Sequence, residues 1–300
     1  MKKKTYLFTL MAMVLTLGSC SDNENGIGGE ASKYITVSTS IGNMTRVATD
    51  EKGGQTFEEG DEISVYAWTG DATVAPETRE RVVNNAINKL TNGSWISNPQ
   101  MLWKNNRDKH YFIGVYPVSA ISDLSAGEYT FDETKQVESD LLVAVNKDGL
   151  SYNVDEQQPV PLTFTHVMAK LVVNLTYKNQ WGGIPTVEKV AVGNAAKEAT
   201  VNYLTKTVTP STTVKEDFSL PEITENTKYV SIIIPQEEVK QLTIVIGGKN
   251  YIYDNGTPFK LEGGKITTIN LEVGRDEIKL GDVKISDWED GSTFSGEAIN

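Results

Sequence analysis

From Tyr34 to Val273 apolar and polar residues alternate with a period of two, the spacing of strands that bury one face. Ile35, Val37 and Ile41 share one side of the first run, with Thr36, Ser38 and Ser40 between them. Ile63, Val65 and Ala67 alternate in "DEISVYAW", and "HYFIGVYP" is a dense aromatic run stopped by Pro117. Ala169, Leu171, Val173, Leu175 and Tyr177 line one side of "AKLVVNLTY". "YVSIIIP" is apolar on both sides, which predicts a strand in the middle of a sheet. "KITTINLEV" turns Ile269, Leu271 and Val273 inward, with Asn270 and Glu272 outward. Asn92-Gly93, Asp148-Gly149, Gly247-Gly248 and Asn255-Gly256 supply residues that tolerate positive φ, as tight hairpins require. Gly263-Gly264 leads into a further strand. Thr78 to Leu90, "TRERVVNNAINKL", fits two patterns. Val82, Ala86, Ile87 and Leu90 make a helical face, while the Asn84-Asn85 pair suits a strand equally. Frequent short strands with regular turns predict an all-β chain built of sandwiches. With no fixed repeat and no strong linker, the boundary between sandwiches is placed near His166, where "PVPLTFT" ends one and "AKLVVNLTY" opens the next.

The chain starts differently. Lys2, Lys3 and Lys4 precede an apolar run from Tyr6 to Leu17. That run is shorter than the roughly 20 apolar residues of a bilayer-spanning helix and has the size of a signal-peptide core. Leu17-Gly18-Ser19-Cys20 resembles the lipobox of bacterial lipoproteins, an aliphatic residue and two small ones before a cysteine. The resemblance implies cleavage before Cys20 and acylation of that residue on its thiol and amine. Several acyl chains give stable anchoring where one would be marginal. Cys20 is the sole cysteine, so no intramolecular disulfide can form, and a thioether to lipid accounts for its lack of a partner. Ser21 to Glu30 is polar, acidic and glycine-rich, a flexible tether that also resembles the surface-export signal of Bacteroides-group lipoproteins. The expected organisation is a signal peptide at 1–19, a tether at 20–33, and sandwiches at 34–166 and 167–300. About 280 mature residues is the length of two ordinary domains.

Charge narrows the partners. The chain has 28 basic and 40 acidic residues, a net charge of −12 that becomes −15 without the leader lysines. Nucleic-acid binding, which needs a basic stripe, is not expected. Nor is a cofactor or a metal. The two histidines, His110 and His166, stand beside aromatic residues at strand ends, where packing explains them better than catalysis. A lone lipidated cysteine leaves no Cys/His metal site. "GGKN" and "GGKI" lack the upstream glycine and following hydroxyl residue of a phosphate loop, and "DWEDGS" lacks the ligand spacing of an EF-hand. No motif points to an enzyme. The tryptophans, Trp68, Trp95, Trp103, Trp181 and Trp288, leave a rival to a structural role: a surface glycan-binding lipoprotein with rings stacked on sugar.

Five stretches together resemble one family. "FEEGDEISVYAW", "HYFIGVYP", "PLTFTHVMAKLVVNL", "VSIIIPQ" and "LEGGKITTINLEV…ISDWEDGSTFSGEAI" are similar, in order, to the fimbrillins, pilin precursors of Bacteroides-group bacteria. The phrase around Phe164, His166, Ala169, Lys170 and Leu171 is the most specific. The resemblance implies two tandem transthyretin-like β-sandwiches, outer-membrane lipoprotein export, polymerisation with like or unlike fimbrial subunits, and adhesion to a host or bacterial surface receptor. It also implies cleavage after an arginine, loss of the first strand, and filling of the vacated groove by a strand from another subunit. Arg46, in "GNMTRVATDEKGG", has the accessible flanks such a cut needs. The donor would be the C-terminal stretch, about 279–300, with Val283, Ile285 and Phe294 as groove fillers, unless it stays paired on its own subunit.

Overall fold

The computed structural model of the chain describes residues 33–42, 56–153, 158–254 and 256–288. Its first half holds β1 (Val37–Ile41), β2 (Glu62–Thr69), β3 (Val83–Thr91), β4 (Ser94–Asn98), β5 (His110–Tyr116), β6 (Gly127–Thr130), β7 (Leu142–Leu150) and β8 (Val160–His166). Its second half holds β9 (Ala169–Tyr177), β10 (Val187–Ala196), β11 (Glu198–Asn202), β12 (Thr207–Pro210), β13 (Lys215–Ser219), β14 (Glu222–Thr224), β15 (Lys228–Ile233), β16 (Gln241–Ile246), β17 (Lys249–Asp254), β18 (Lys265–Val273) and β19 (Ile278–Asp287). Two single 3₁₀ turns, Thr78–Glu80 and Asn179–Trp181, are the helical elements among the described residues. The fold is all-β, a set of sandwiched sheets, as the alternation predicts.

A seven-stranded sheet runs β1-β8-β7-β5-β2-β3-β4, and a five-stranded one runs β14-β15-β9-β18-β19. A four-stranded sheet, β13-β10-β16-β17, and a three-stranded one, β12-β11-β6, complete the layers. β15 ("KYVSII") lies inside its sheet, the place its two-sided apolar pattern predicts. The Asn92-Gly93 and Gly247-Gly248 hairpins have both central residues at positive φ, which matches the twist of the flanking strands.

The seven-stranded sheet buries both of its faces. Ile63, Val65 and Ala67 face one cluster with Phe112, Leu162, Phe164 and the three apolar residues of the first run, Ile35, Val37 and Ile41. The intervening Tyr66 and Trp68 face a second cluster with Ile113, Val115 and Val143, which continues into β9, β10, β15, β16 and β18. Burying Tyr66 is tolerable because its hydroxyl accepts the Ile121 N–H at 2.9 Å and donates to the Ser119 carbonyl at 2.5 Å. The chain passes from β8 to β9, in different sheets, through Val167-Met168 alone. The halves also meet directly where β6 pairs antiparallel with β11.

One ambiguity closes and one expectation changes. Of the two patterns that fit Thr78–Leu90 the strand is the one formed: after the 3₁₀ turn it becomes β3, and Asn85 at φ 54° sits where the β2–β3 register slips. The bulge re-aims the side chains, so Val83 and Ala86 are both buried although they are three positions apart. Asp148-Gly149 is no hairpin; it lies inside β7 opposite a register shift in β5. Asn255 is outside the described residues.

Candidate functional site

Two edge strands bear on the expectations for assembly. The first is β1. It pairs in parallel with β8, Val37 opposite Val160 through to Ile41 opposite Phe164. Thr36 C=O accepts the Val160 N–H at 2.8 Å, and the Gly42 N–H donates to Phe164 C=O at 2.8 Å. On its other side the incoming chain pairs with residues 101–103: Ile35 N–H donates to Met101 C=O at 2.9 Å and Trp103 N–H to Lys33 C=O at 3.1 Å. Trp95 of β4, at the far edge of the same sheet, donates its indole N–H to Thr39 Oγ1 at 2.9 Å. The sheet therefore curls until its ends meet, and the first strand closes the seam. Ile35, Val37 and Ile41 are 2, 6 and 8 % exposed. Each contributes on the order of 2 kcal/mol by burial. The ladders among β2, β3, β4, β5, β7 and β8 do not involve β1, so the strand fills a slot in a scaffold that other pairings hold.

The second is β19. It pairs with β18 from Lys265–Asp287 to Val273–Ile278, interrupted by a bulge at Gly281, and forms the edge of its sheet. Val283 and Ile285, the predicted groove fillers, are 39 and 40 % exposed. Ile278 and Leu280 pack partly against the core. Phe294 lies outside the described residues, as do Cys20 and Arg46.

Directly after β19, Trp288 lies flat on His166, ring centroids 3.9 Å apart and planes 5° from parallel. The Trp288 backbone N–H donates to Gly264 C=O at 3.3 Å. His166 Nδ1 is 2.8 Å from Asp140 Oδ1, a carboxylate that accepts from a protonated Nδ1. Nε2 is buried and without a hydrogen-bond partner. The ammonium of Lys170, a 4 % exposed residue, stands 5.3 Å from the Trp288 ring centroid. Burial is the main cause that pulls the Lys170 pKa down to about 8; Asp140 opposes the shift and Lys228 adds to it. Close backbone contact completes the cluster. A Cβ on Gly263 would meet Val167 O at 2.7 Å, and Gly264, at φ 68°, would place one 3.0 Å from His166 O. Three phrases distant in sequence, "THVMAK", "EGGK" and "DW", thus meet at the passage from β8 to β9. Their residue identities were legible; their meeting was not, because 122 positions separate His166 from Trp288.

The other tryptophans serve separate local contacts. Trp68 is buried, with its indole N–H on Asp71 C=O at 2.9 Å. Trp103 meets His110 and Phe112 edge-on, and Trp181 donates to Val273 C=O at 2.9 Å. All five rings are buried or half-buried, and they do not form one exposed platform. His110 is buried, accepts the Lys104 N–H at Nε2 (3.1 Å) and donates from Nδ1 to Asp108 C=O (3.0 Å). Burial lowers its pKa, so the neutral ring ties the 104–110 loop. Among the described residues no three His, Cys, Asp or Glu side chains gather as a metal site.

A concave space of about 790 Å³ adjoins the start of the first strand, lined by Val74, Arg79, Arg81, Leu102, Trp103 and Lys104 among others. Arg81 is held from behind by Asn84 Oδ1 and the carbonyls of Ile121 and Ser122.

Comparison with known proteins places this architecture. A protein of Bacteroides uniformis that carries the provisional name fimbrium subunit Fim1C is 26 % identical over 97 % of both chains. The crystal structure of a provisionally assigned cell adhesion protein from Bacteroides ovatus superposes with a TM-score of 0.63 at 18 % identity, over 85 % of this chain and 98 % of that one. The tip fimbrial protein Mfa3 of Porphyromonas gingivalis, with a C-terminal truncation, gives a TM-score of 0.50 at 11 % identity, over 77 % and 95 %. Residues 45–288 match the sequence profile of the fimbrillin-like proteins, and the chain belongs to that family.

Proposed function

We propose that the chain is the precursor of a fimbrial subunit that supports cell adhesion, exported as an outer-membrane lipoprotein through Cys20 and matured by hydrolysis of the peptide bond after Arg46. The cut releases the lipid, the tether and β1 together. A C-terminal strand of another subunit, like or unlike, then enters the vacated slot, in the manner of donor-strand complementation. The observation that carries this reading is the seating of β1, which pairs along its length with β8, buries Val37 and Ile41, and is led in by Lys33 and Ile35 bonded to residues 101–103, in a scaffold whose remaining ladders do not involve it. Its loss strands buried backbone groups on β8 and on residues 101–103, and an incoming strand satisfies them. In this reading the seven-stranded sheet up to His166 and the four- and five-stranded sheets after it belong to the two tandem sandwich units, and the three-stranded sheet, which joins β6 to β11, is shared between them.

The test uses the full precursor. Limited digestion with a trypsin-like protease is expected to cut after Arg46 and to yield SDS-resistant ladders and filaments in electron micrographs. Arg46→Ala is expected to stay monomeric under the same digestion. Complete cleavage after Arg46 with no higher species would overturn the donor-strand part. Palmitate incorporation that survives Cys20→Ala would overturn the anchoring part.

A further inference from the structure

The C-terminal strand is held unevenly. Along β19, Lys279, Asp282, Val283, Lys284, Ile285 and Asp287 are exposed, and the ladder to β18 is broken by the Gly281 bulge. Lys265 and Asp287 pair at its end on the surface, where such pairs contribute little. An edge strand of this kind opens from its chain end, one hydrogen bond at a time. Trp288 stands at that end. Its indole covers His166 on one side and adjoins the buried Lys170 ammonium, whereas residues 281–285 of β19 are all exposed.

We propose that the Trp288–His166 stack, with Asp140, Lys170 and Gly264 around it, is the latch that keeps the C-terminal strand on its own subunit, and that its opening sets how readily that strand is offered to another. The proposal rests on the donor-strand reading for its consequence, not for the latch itself. Peeling from the C-terminal end must unstack the indole before any β18–β19 bond is released. The latch is also built to open. Closing it buries His166 Nε2 without a hydrogen-bond partner, a penalty that water removes when the ring is uncovered. Lys170, which faces the same indole, gains hydration in the same step. Trp288, His166 and Lys170 are therefore positioning residues for the strand rather than contacts with a receiving subunit.

Hydrogen exchange on the intact precursor tests this. Trp288→Ala is expected to raise amide exchange across 283–287 by about fivefold to tenfold, the loss of one aromatic stack, while β8, β9 and β15 keep their protection. Trp288→Phe is expected to fall between the two, and covers the case in which the alanine variant does not fold. His166→Phe keeps a stacked ring without the orphan nitrogen and is expected to slow exchange at 283–287. Unchanged exchange in the folded Trp288 variants would overturn the latch. Cleaved Trp288→Ala is further expected to build ladders faster than cleaved wild type. Faster exchange with no ladder from either protein would leave the latch standing and overturn donation instead.

Discussion

β1 and β19 are both terminal strands at sheet edges, yet they are held in opposite ways. β1 has five residues, sinks Val37 and Ile41 into a core, and has partners on both sides of its approach. β19 has ten residues, leaves Val283 and Ile285 at the surface, and is held by β18, by the partly buried Ile278 and Leu280 at its start, and by Trp288 beyond its end. Length is therefore a poor guide to how firmly a strand is kept. β1 is a component of the core; β19 is laid against a finished sheet. A subunit that exchanges strands needs this asymmetry: a slot that is costly to leave empty and a donor that is cheap to lift.

The comparison can be broken most forcefully at β1. Ile41→Ala is expected to cost about 2–5 kcal/mol in chemical denaturation of the precursor, the range for an aliphatic side chain removed from a packed site. A loss under about 1 kcal/mol would show that β1 is laid on rather than built in. Next is the buried cation beneath the latch. The folded Lys170 pKa, about 8, is below its unfolded value of 10.5, so above pH 8 the unfolded chain binds more protons than the folded one. Stability from this group is lowest below pH 8 and rises as pH climbs from about 8 towards 10.5. Lys170→Met is expected to remove that rise, seen as a flatter denaturation midpoint between pH 7 and 9.5 than wild type. Thr39→Val, which deletes the acceptor for Trp95 at the seam, is expected to cost about 1 kcal/mol. Ile285→Thr is expected to change monomer stability by less than about 0.5 kcal/mol, as exposed positions do. If β19 is the donor, the same substitution lowers ladder formation far more than it lowers stability, and densitometry of the ladders checks this.

Most strand positions were legible because a half-buried strand writes its face into every second residue. Leu171, Val173 and Leu175, and Ile269, Leu271 and Val273, are buried together as their spacing predicts. Where the rule failed, the backbone had shifted its own period. At β3 the bulge at Asn85 breaks the alternation and mimics a helical face. At Gly149 a turn-forming residue serves a bulge instead, since a Cβ there would meet the Tyr111 ring at 2.7 Å. The second buried face of β2 was hidden because Ser64, Tyr66 and Trp68 carry polar atoms, and nothing in their order reveals that Ser119, Ile121 and Asp71 will satisfy them. The latch was invisible for another reason. Stacking leaves no periodic trace, and His166 and Trp288 are brought together by strands that pair across some ninety positions, β9 and β18.

The slot beside β8 also has a mechanical meaning. A strand seated there runs alongside its neighbours, bonded to β8 on one side and to residues 101–103 on the other. Tension along that strand loads its hydrogen bonds together, in shear, whereas tension on the free end of β19 would unzip them in turn. A filament joined through the first kind of contact bears pulling at each junction with the whole strand at once.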